Sequence, residues 1–166
     1  MSRPSFVLQM QCSPELSVAE LAGIPARRLL RAAIALALTD TVDDGQTLEI
    51  SLHCLSDAEI AAINGQFRQR AQPTNCLSFP APEQVWPGRR RPLGEILLCP
   101  AVIAREAKEQ GKPLRDHYRH LVIHSTLHLL GYDHEEEQEA EQMESLEIRF
   151  LAQLGVADPY RIQSNE

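Results

Sequence analysis

Three histidines near the C-terminal third of the chain, His124, His128 and His134, follow the spacing His-x3-His-x5-His, with Gly131 three residues after the second. On an α-helix, residues four apart lie about 40° apart on one face, so the imidazoles of His124 and His128 can converge on one ion. Gly131 falls where that helix would end. Glycine enters the left-handed conformation at little cost, and the reversal it permits can swing His134 back toward the pair. Three neutral imidazoles suit one Zn2+ per chain, or another borderline divalent ion such as Ni2+. With only three protein ligands a fourth position stays open, as in catalytic zinc sites and unlike the closed structural ones. His120 continues the four-residue ladder to His124 and is the competitor for a metal role. A lone helical histidine is more often a surface or satisfied core residue, and His117 and His120 are expected to be of that kind.

The same spacing matches the metzincin proteases, except that Ser125 follows the first histidine where those enzymes carry Glu. That Glu is the general base of the protease reaction, and a serine hydroxyl cannot replace it near neutral pH. No Met-turn signature follows downstream. A zinc peptidase is therefore the weaker reading of the trio.

Several elements must position these groups. Residues 5–11 form a first strand by their apolar alternation. Pro25 opens a helix at its first turn, with Leu29, Leu30, Ala33, Ile34, Ala37 and Leu38 as its apolar stripe. After the turn at Asp43-Asp44-Gly45, Leu48, Ile50, Leu52 and Cys54 alternate with Glu49, Ser51 and His53 as in a half-buried strand. Ser56 and Glu59 read as a capping box opening a helix that runs toward Arg68. A short strand at 73–80 leads into the longest expected loop, 80–92, whose four prolines, Trp86 and three consecutive arginines suit either RNA contact or a plain excursion. Residues 93–99 return to the sheet, Pro100 starts a helix that stops at Gly111, and Pro113 begins the histidine helix. A last helix runs through Met143, Leu146, Ile148, Phe150, Leu151 and Leu154 to Gly155. The expected fold class is α/β (α+β): a small mixed β-sheet packed with helices, the three-His site lying on a helix and the turn after it.

A length of 166 residues predicts one domain, 1–166, able to bury about 70% of the surface its unfolded form exposes. Hydrophobic content of 43% and charged content of 23% are those of an ordinary globular protein. The N-terminal residues lack the apolar run of a signal peptide and no segment is apolar enough to span a bilayer, so a cytoplasmic protein without a membrane partner is expected. Cys12, Cys54, Cys76 and Cys99 contain no Cys-x-x-Cys pair and are expected to be reduced, small hydrophobes in the core. The net charge of −7 is concentrated: seven glutamates lie within 135–147, a segment without Lys or Arg, and the remaining chain is formally neutral. Basic residues cluster at Arg27-Arg28 with Arg31, at Arg68 with Arg70, and at Arg89-Arg90-Arg91. A local basic groove is thus compatible with a net-acidic protein, although any one cluster alone is more often a solvated face.

The stretch His124 to His134 resembles the signature of the YbeY family of bacterial endoribonucleases, usually His-Gly-x-Leu-His-Leu-x-Gly-Tyr-Asp-His. The resemblance continues through Asn64 with Phe67-Arg68, the run Pro73 to Pro80, Leu93-Gly94-Glu95-Ile96, Gln110-Gly111-Lys112-Pro113, Glu141-Gln142-Met143-Glu144 and Leu154-Gly155. It implies a metal-dependent endoribonuclease that cleaves single-stranded RNA, matures the 3′ end of the small-subunit ribosomal RNA and takes part in ribosome quality control. Its partners would be ribosomal RNA and the small ribosomal subunit, and not DNA. It assigns metal binding to His124, His128 and His134 and a place beside the active cleft to Arg68, expected to clamp a phosphate, with a structural ion pair as the alternative. Two departures stand out: Ser125 replaces the usual glycine, which would tighten the space next to the metal, and Glu95 replaces the more frequent Asp. Asp133 is a candidate to orient an imidazole. A non-enzymatic ribosome assembly factor with a structural metal is the remaining alternative.

Overall fold

A computed structural model describes residues 3–161, and residues 1–2 and 162–166 of the expected domain lie outside the described residues. The chain runs β1 (Phe6–Cys12), α1 (Val18–Gly23), α2 (Arg27–Ala37), β2 (Thr47–Cys54), α3 (Asp57–Arg68), β3 (Cys76–Pro80), β4 (Arg90–Leu98), α4 (Pro100–Gln110), α5 (Leu114–Leu129) and α6 (Glu137–Gln153). The strands form one sheet in the order β1-β2-β4-β3. β1, β2 and β4 are parallel, while β3 lies antiparallel on the edge beside β4. Among the described residues, no helix is long and apolar enough to cross a membrane.

The period-two alternation of β2 is realised residue by residue: Leu48, Ile50, Leu52 and Cys54 are buried and the intervening residues are half-buried. Those buried side chains join Leu8, Ile96 and Leu98 from neighbouring strands, and α2, α5 and α6 close over that face. α3 covers part of the opposite face, where Ile60 meets Leu77, Leu97 and Cys99. Each such large side chain contributes about 1.5–3 kcal/mol by leaving water. α5 is the helix that holds two of the three candidate ligands, and it touches β3, β4, α2, α4 and α6. It is therefore a poorly mobile platform.

Sheet and platform meet at Gly94. The β2–β4 register shifts between Glu49 and Ile50, whose partners are Pro92 and Gly94, so Leu93 is an extra residue that bends β4. Gly94 sits at φ 152°, and a Cβ there would lie 2.4 Å from the Phe79 carbonyl oxygen and 2.6 Å from Leu129 Cδ2. Only glycine lets β3 and the end of α5 come this close to β4.

The edge at β1 is capped in its first half by side chains. Arg27 donates to the Leu8 carbonyl, and Arg31 donates to the Phe6 carbonyl at 3.1 Å while its guanidinium lies 4.0 Å from the Phe6 ring centre. The first basic cluster is thus largely structural, covering an edge that would otherwise invite strand pairing. The third differs from expectation too. β4 starts at Arg90, so the loop spans only 81–89, and Arg91 pairs with Asp44 at 3.2 Å. The loop is tied down by Gln46, whose Nε2 donates to the carbonyls of Trp86 and Gly88.

Three further details correct the expectation. α2 begins at Arg27 with Ala26 as its N-cap, leaving Pro25 outside it. The six-residue α1 was not anticipated, although Ser17 and Glu20 form the same reciprocal cap as Ser56 and Glu59. Cys12 is exposed and Cys76 only half-buried, whereas Cys54 and Cys99 are core residues. Replacing Gly94 by Ala is expected to cost about 1–3 kcal/mol through overpacking. Urea denaturation of the variant checks this, and a loss below about 0.5 kcal/mol, the range of ordinary surface substitutions, would mean that the close approach is not needed.

Candidate metal centre

α5 ends at Leu129, and Gly131 follows its cap at φ 98°. The Gly131 N–H reaches back to His128 O at 3.0 Å and the Tyr132 N–H to Leu127 O at 3.1 Å, the pairing that closes a helix with a left-handed residue. This reversal aims the Tyr132 carbonyl at His128 Nδ1, 3.0 Å away, and returns the chain so that His134 faces the pair. Ring centres lie 4.5 Å apart for His124 and His128, 5.0 Å for His128 and His134, and 5.7 Å for His124 and His134. One nitrogen from each of the three lies within 4.8 Å of the others.

Which nitrogens face inward follows from hydrogen bonding. His124 Nδ1 donates to Glu147 Oε1 at 2.5 Å, and His128 Nδ1 donates to the Tyr132 carbonyl. In a neutral imidazole that protonates Nδ1 and leaves Nε2 with a bare lone pair. The two Nε2 atoms stand 3.0 Å apart. Two lone pairs aimed at each other repel, and a cation between the imidazoles, with His134 as third donor, removes the conflict. The donor set therefore fits a divalent metal. Burial, with the neighbouring His124 and His134, pulls the His128 pKa down from 6.5 to about 4, so the imidazole is neutral and ready to ligate at physiological pH.

Glu147 was legible in the sequence only as one of seven acidic residues. It is fully buried in α6 between Met143, Phe150 and Leu151, at the i, i+4, i+7, i+8 positions of the apolar stripe. A carboxylate in such a stripe needs partners, and this one has them: His124 on Oε1 and the Tyr160 hydroxyl on Oε2. His120 Nε2 stands 3.6 Å from Oε2 and 3.3 Å from the Tyr160 hydroxyl. Burial pushes the Glu147 carboxyl up, but the nearby His120 imidazole and the hydrogen bond from His124 outweigh it and hold the pKa at about 2. Glu147 and the Tyr132 carbonyl thus orient the imidazoles of His124 and His128, while the Asp133 carboxylate accepts from the His134 N–H at 2.7 Å and lies 3.7 Å from His134 Nδ1. The His117 Nε2–H donates to Glu106 Oε1 at 3.0 Å, and His117 stands outside the trio, as does His120.

The histidines lie in a cleft of about 810 Å3 lined also by Asn64, Arg68, Arg70, Asn75, Asp133 and Glu135, among others. Arg68 ends α3, whose Ser56 cap and Glu59 fix its start. Asn64 is buried, and its Nδ2 donates to the Gln72 carbonyl at 2.9 Å, pinning the chain that carries Arg70 against α3. Among the described residues neither Arg68 nor Arg70 takes part in an ion pair, so two guanidiniums are available to an anion in the cleft. Asn75 is held by Glu106 at 3.0 Å. Ser125 is fully buried and Glu95 is exposed, and neither lines the cleft.

The sequence profile of the endoribonuclease YbeY family matches residues 19–155. Endoribonuclease YbeY of Alkalilimnicola ehrlichii is 47% identical over 148 residues, covering 87% of this chain and 87% of that protein. Its counterpart in Francisella tularensis subsp. novicida is 49% identical over 124 residues, covering 71% of this chain and 75% of that one. The solution structure of TM1509 from Thermotoga maritima aligns over 94% of this chain with a TM-score of 0.49 and 22% identity.

Replacing Glu147 by Gln is expected to weaken Zn2+ binding about ten- to a hundredfold, read by competition with a chromophoric chelator. The pH dependence has a definite sign. His128, at about 4 in the fold against 6.5 ordinarily, and Glu147, at about 2 against 4.5, both take up protons sooner in the unfolded chain. Their contributions are complete above those ordinary values and are lost as pH falls toward the folded ones. Calorimetry of the metal-free protein should show its melting temperature falling from about pH 6.5 downward, and a level profile to pH 4 would contradict this.

Proposed function

Because the chain belongs to the YbeY endoribonuclease family, we propose that it cleaves single-stranded ribosomal RNA with a divalent metal held by His124, His128 and His134. Zn2+ is the ion that the all-imidazole set suits first, with Ni2+ as a substitute. The reading extends to maturation of the 3′ end of the small-subunit ribosomal RNA and to ribosome quality control. The small ribosomal subunit is then the partner, the cytoplasm the location, and the whole chain one catalytic domain. The observation that carries it is the convergence of the three imidazoles in a cleft whose lining includes two guanidiniums in no ion pair among the described residues.

When bound, the metal supplies Lewis acidity toward a phosphoryl oxygen. Arg68 binds the same phosphate through charge-assisted N–H donors and stabilises the negative charge that grows on it. Arg70 holds the neighbouring stretch of the RNA backbone. Glu147 and the Tyr132 carbonyl keep both Nδ1 protons in place, so His124 and His128 cannot turn away from the ion. Asp133 and Glu135 are the carboxylates in the cleft able to accept a proton. A peptidase mechanism finds no support at Ser125, which is buried where a general base would have to meet substrate.

The test is incubation of metal-quantified protein with a single-stranded ribosomal RNA fragment, beside a chelated sample and the His128→Ala variant. Cleavage by the untreated wild type alone is expected, and equal cleavage by all three would overturn the reading. Arg68→Ala should lower the rate about a hundredfold or more with metal content unchanged. An unaffected rate would remove Arg68 from the mechanism.

A further inference from the structure

The sheet has two edges, and they are treated differently. Guanidiniums of Arg27 and Arg31 occupy two of the outward carbonyls of β1, those of Leu8 and Phe6. β3, the other edge, faces the cleft. Its pairing with β4 is regular: the Cys99 N–H donates to the Asn75 carbonyl and the Ala81 N–H to the Leu93 carbonyl, each at 2.9 Å. Residues 75, 77, 79 and 81 therefore turn their peptide groups toward β4, and Cys76, Ser78 and Pro80 turn theirs away from the sheet. Thr74, Cys76, Ser78 and Pro80 line the same cleft as the three histidines. Among the described residues, the outward N–H groups of Cys76 and Ser78 have no protein partner.

We propose that the open edge of β3 reads single-stranded RNA, the outward peptide groups of Cys76, Ser78 and Pro80 hydrogen-bonding the edges of unpaired bases. The inference rests on the function proposed above and assigns the feature that makes the cleft select single strands. Arg68 and Arg70 in the cleft lining suit the phosphates, which leaves the bases to face the strand. Successive outward groups recur every two residues of extended chain, about 6.8 Å, twice the roughly 3.4 Å rise of stacked bases. The edge thus matches nucleotides that are unstacked. A duplex has its Watson–Crick edges already engaged and cannot pair with it. An open edge also accepts an extended polypeptide, but two guanidiniums in the same cleft lining favour a polyanion.

Ser78→Pro tests this. It deletes an outward N–H without touching the β4 ladder, and Pro80 already occupies an outward position in the same strand. An amide-to-ester replacement at the Ser78 nitrogen removes the same donor without a ring, should the proline variant not fold. The substrate is a single-stranded RNA oligonucleotide bearing a fluorophore and quencher, with a duplex of the same sequence and an extended peptide as competitors. We expect KM to rise about three- to tenfold, the loss of one hydrogen bond, with kcat, metal content and melting temperature unchanged. An unchanged KM in a folded, metal-loaded variant overturns the inference while leaving the nuclease reading intact. Competition by the peptide but not by other single-stranded RNA would overturn it in favour of a polypeptide partner. A wild type that does not cut the oligonucleotide, yet loads metal, overturns both.

Discussion

Two hydrogen bonds donated by imidazole Nδ1 atoms decide what this protein can do. The buried carboxylate of Glu147 accepts one and the carbonyl of Tyr132 the other. Without them His124 and His128 could rotate or exchange tautomers, and their Nε2 lone pairs would not be held facing each other. Each bond makes a different demand on the fold. The carbonyl is available because Gly131 reverses the chain directly after α5. The carboxylate is available because α6 packs against α5 through Met143, Phe150 and Leu151 and carries Glu147 into that contact. Burying a charge there would be costly in an apolar setting, and the imidazole and the tyrosine hydroxyl offset it.

The rest of the molecule holds α5 still. Its apolar residues Tyr118, Leu121, Val122 and Leu127 belong to the main core, and its last turn rests on Gly94 of β4. That contact sets the distance between the histidines and the edge strand β3. The arginines are placed independently, by the cap of α3 at one end and by Asn64 at the other. The cleft is thus assembled from separate supports, which separates the candidate metal ligands on α5 from Arg68 at the end of α3, the residue proposed to bind phosphate. Substitution at one should leave the other measurable.

Much of this was legible in the residues. The spacing of His124, His128 and His134 around Gly131 needs only helical geometry and a left-handed cap, both local properties, and β2 follows from strict alternation. What could not be read depends on contacts distant in sequence. Glu147 lies 23 residues from His124 and is disguised by six exposed or half-buried glutamates beside it, although its place among Met143, Phe150 and Leu151 was a usable signal. Arg27 and Arg31 read as a solvated helix face, and only the sheet order shows them against the β1 edge. The bulge at Leu93 and the fixed loop at 81–89 likewise depend on partners, Glu49 and Gln46, brought in by the fold.

In the proposed metal centre His124 and His128 carry protons on Nδ1 and offer Nε2 to one cation. Nitrogen-15 NMR of the imidazoles, recorded before and after addition of Zn2+, tests this directly. Nδ1–H tautomers for both residues, with metal-induced shifts at the Nε2 nitrogens of both and at one nitrogen of His134, are the predicted result. Protonated Nε2 in either His124 or His128, or metal shifts at their Nδ1 atoms, would contradict the account.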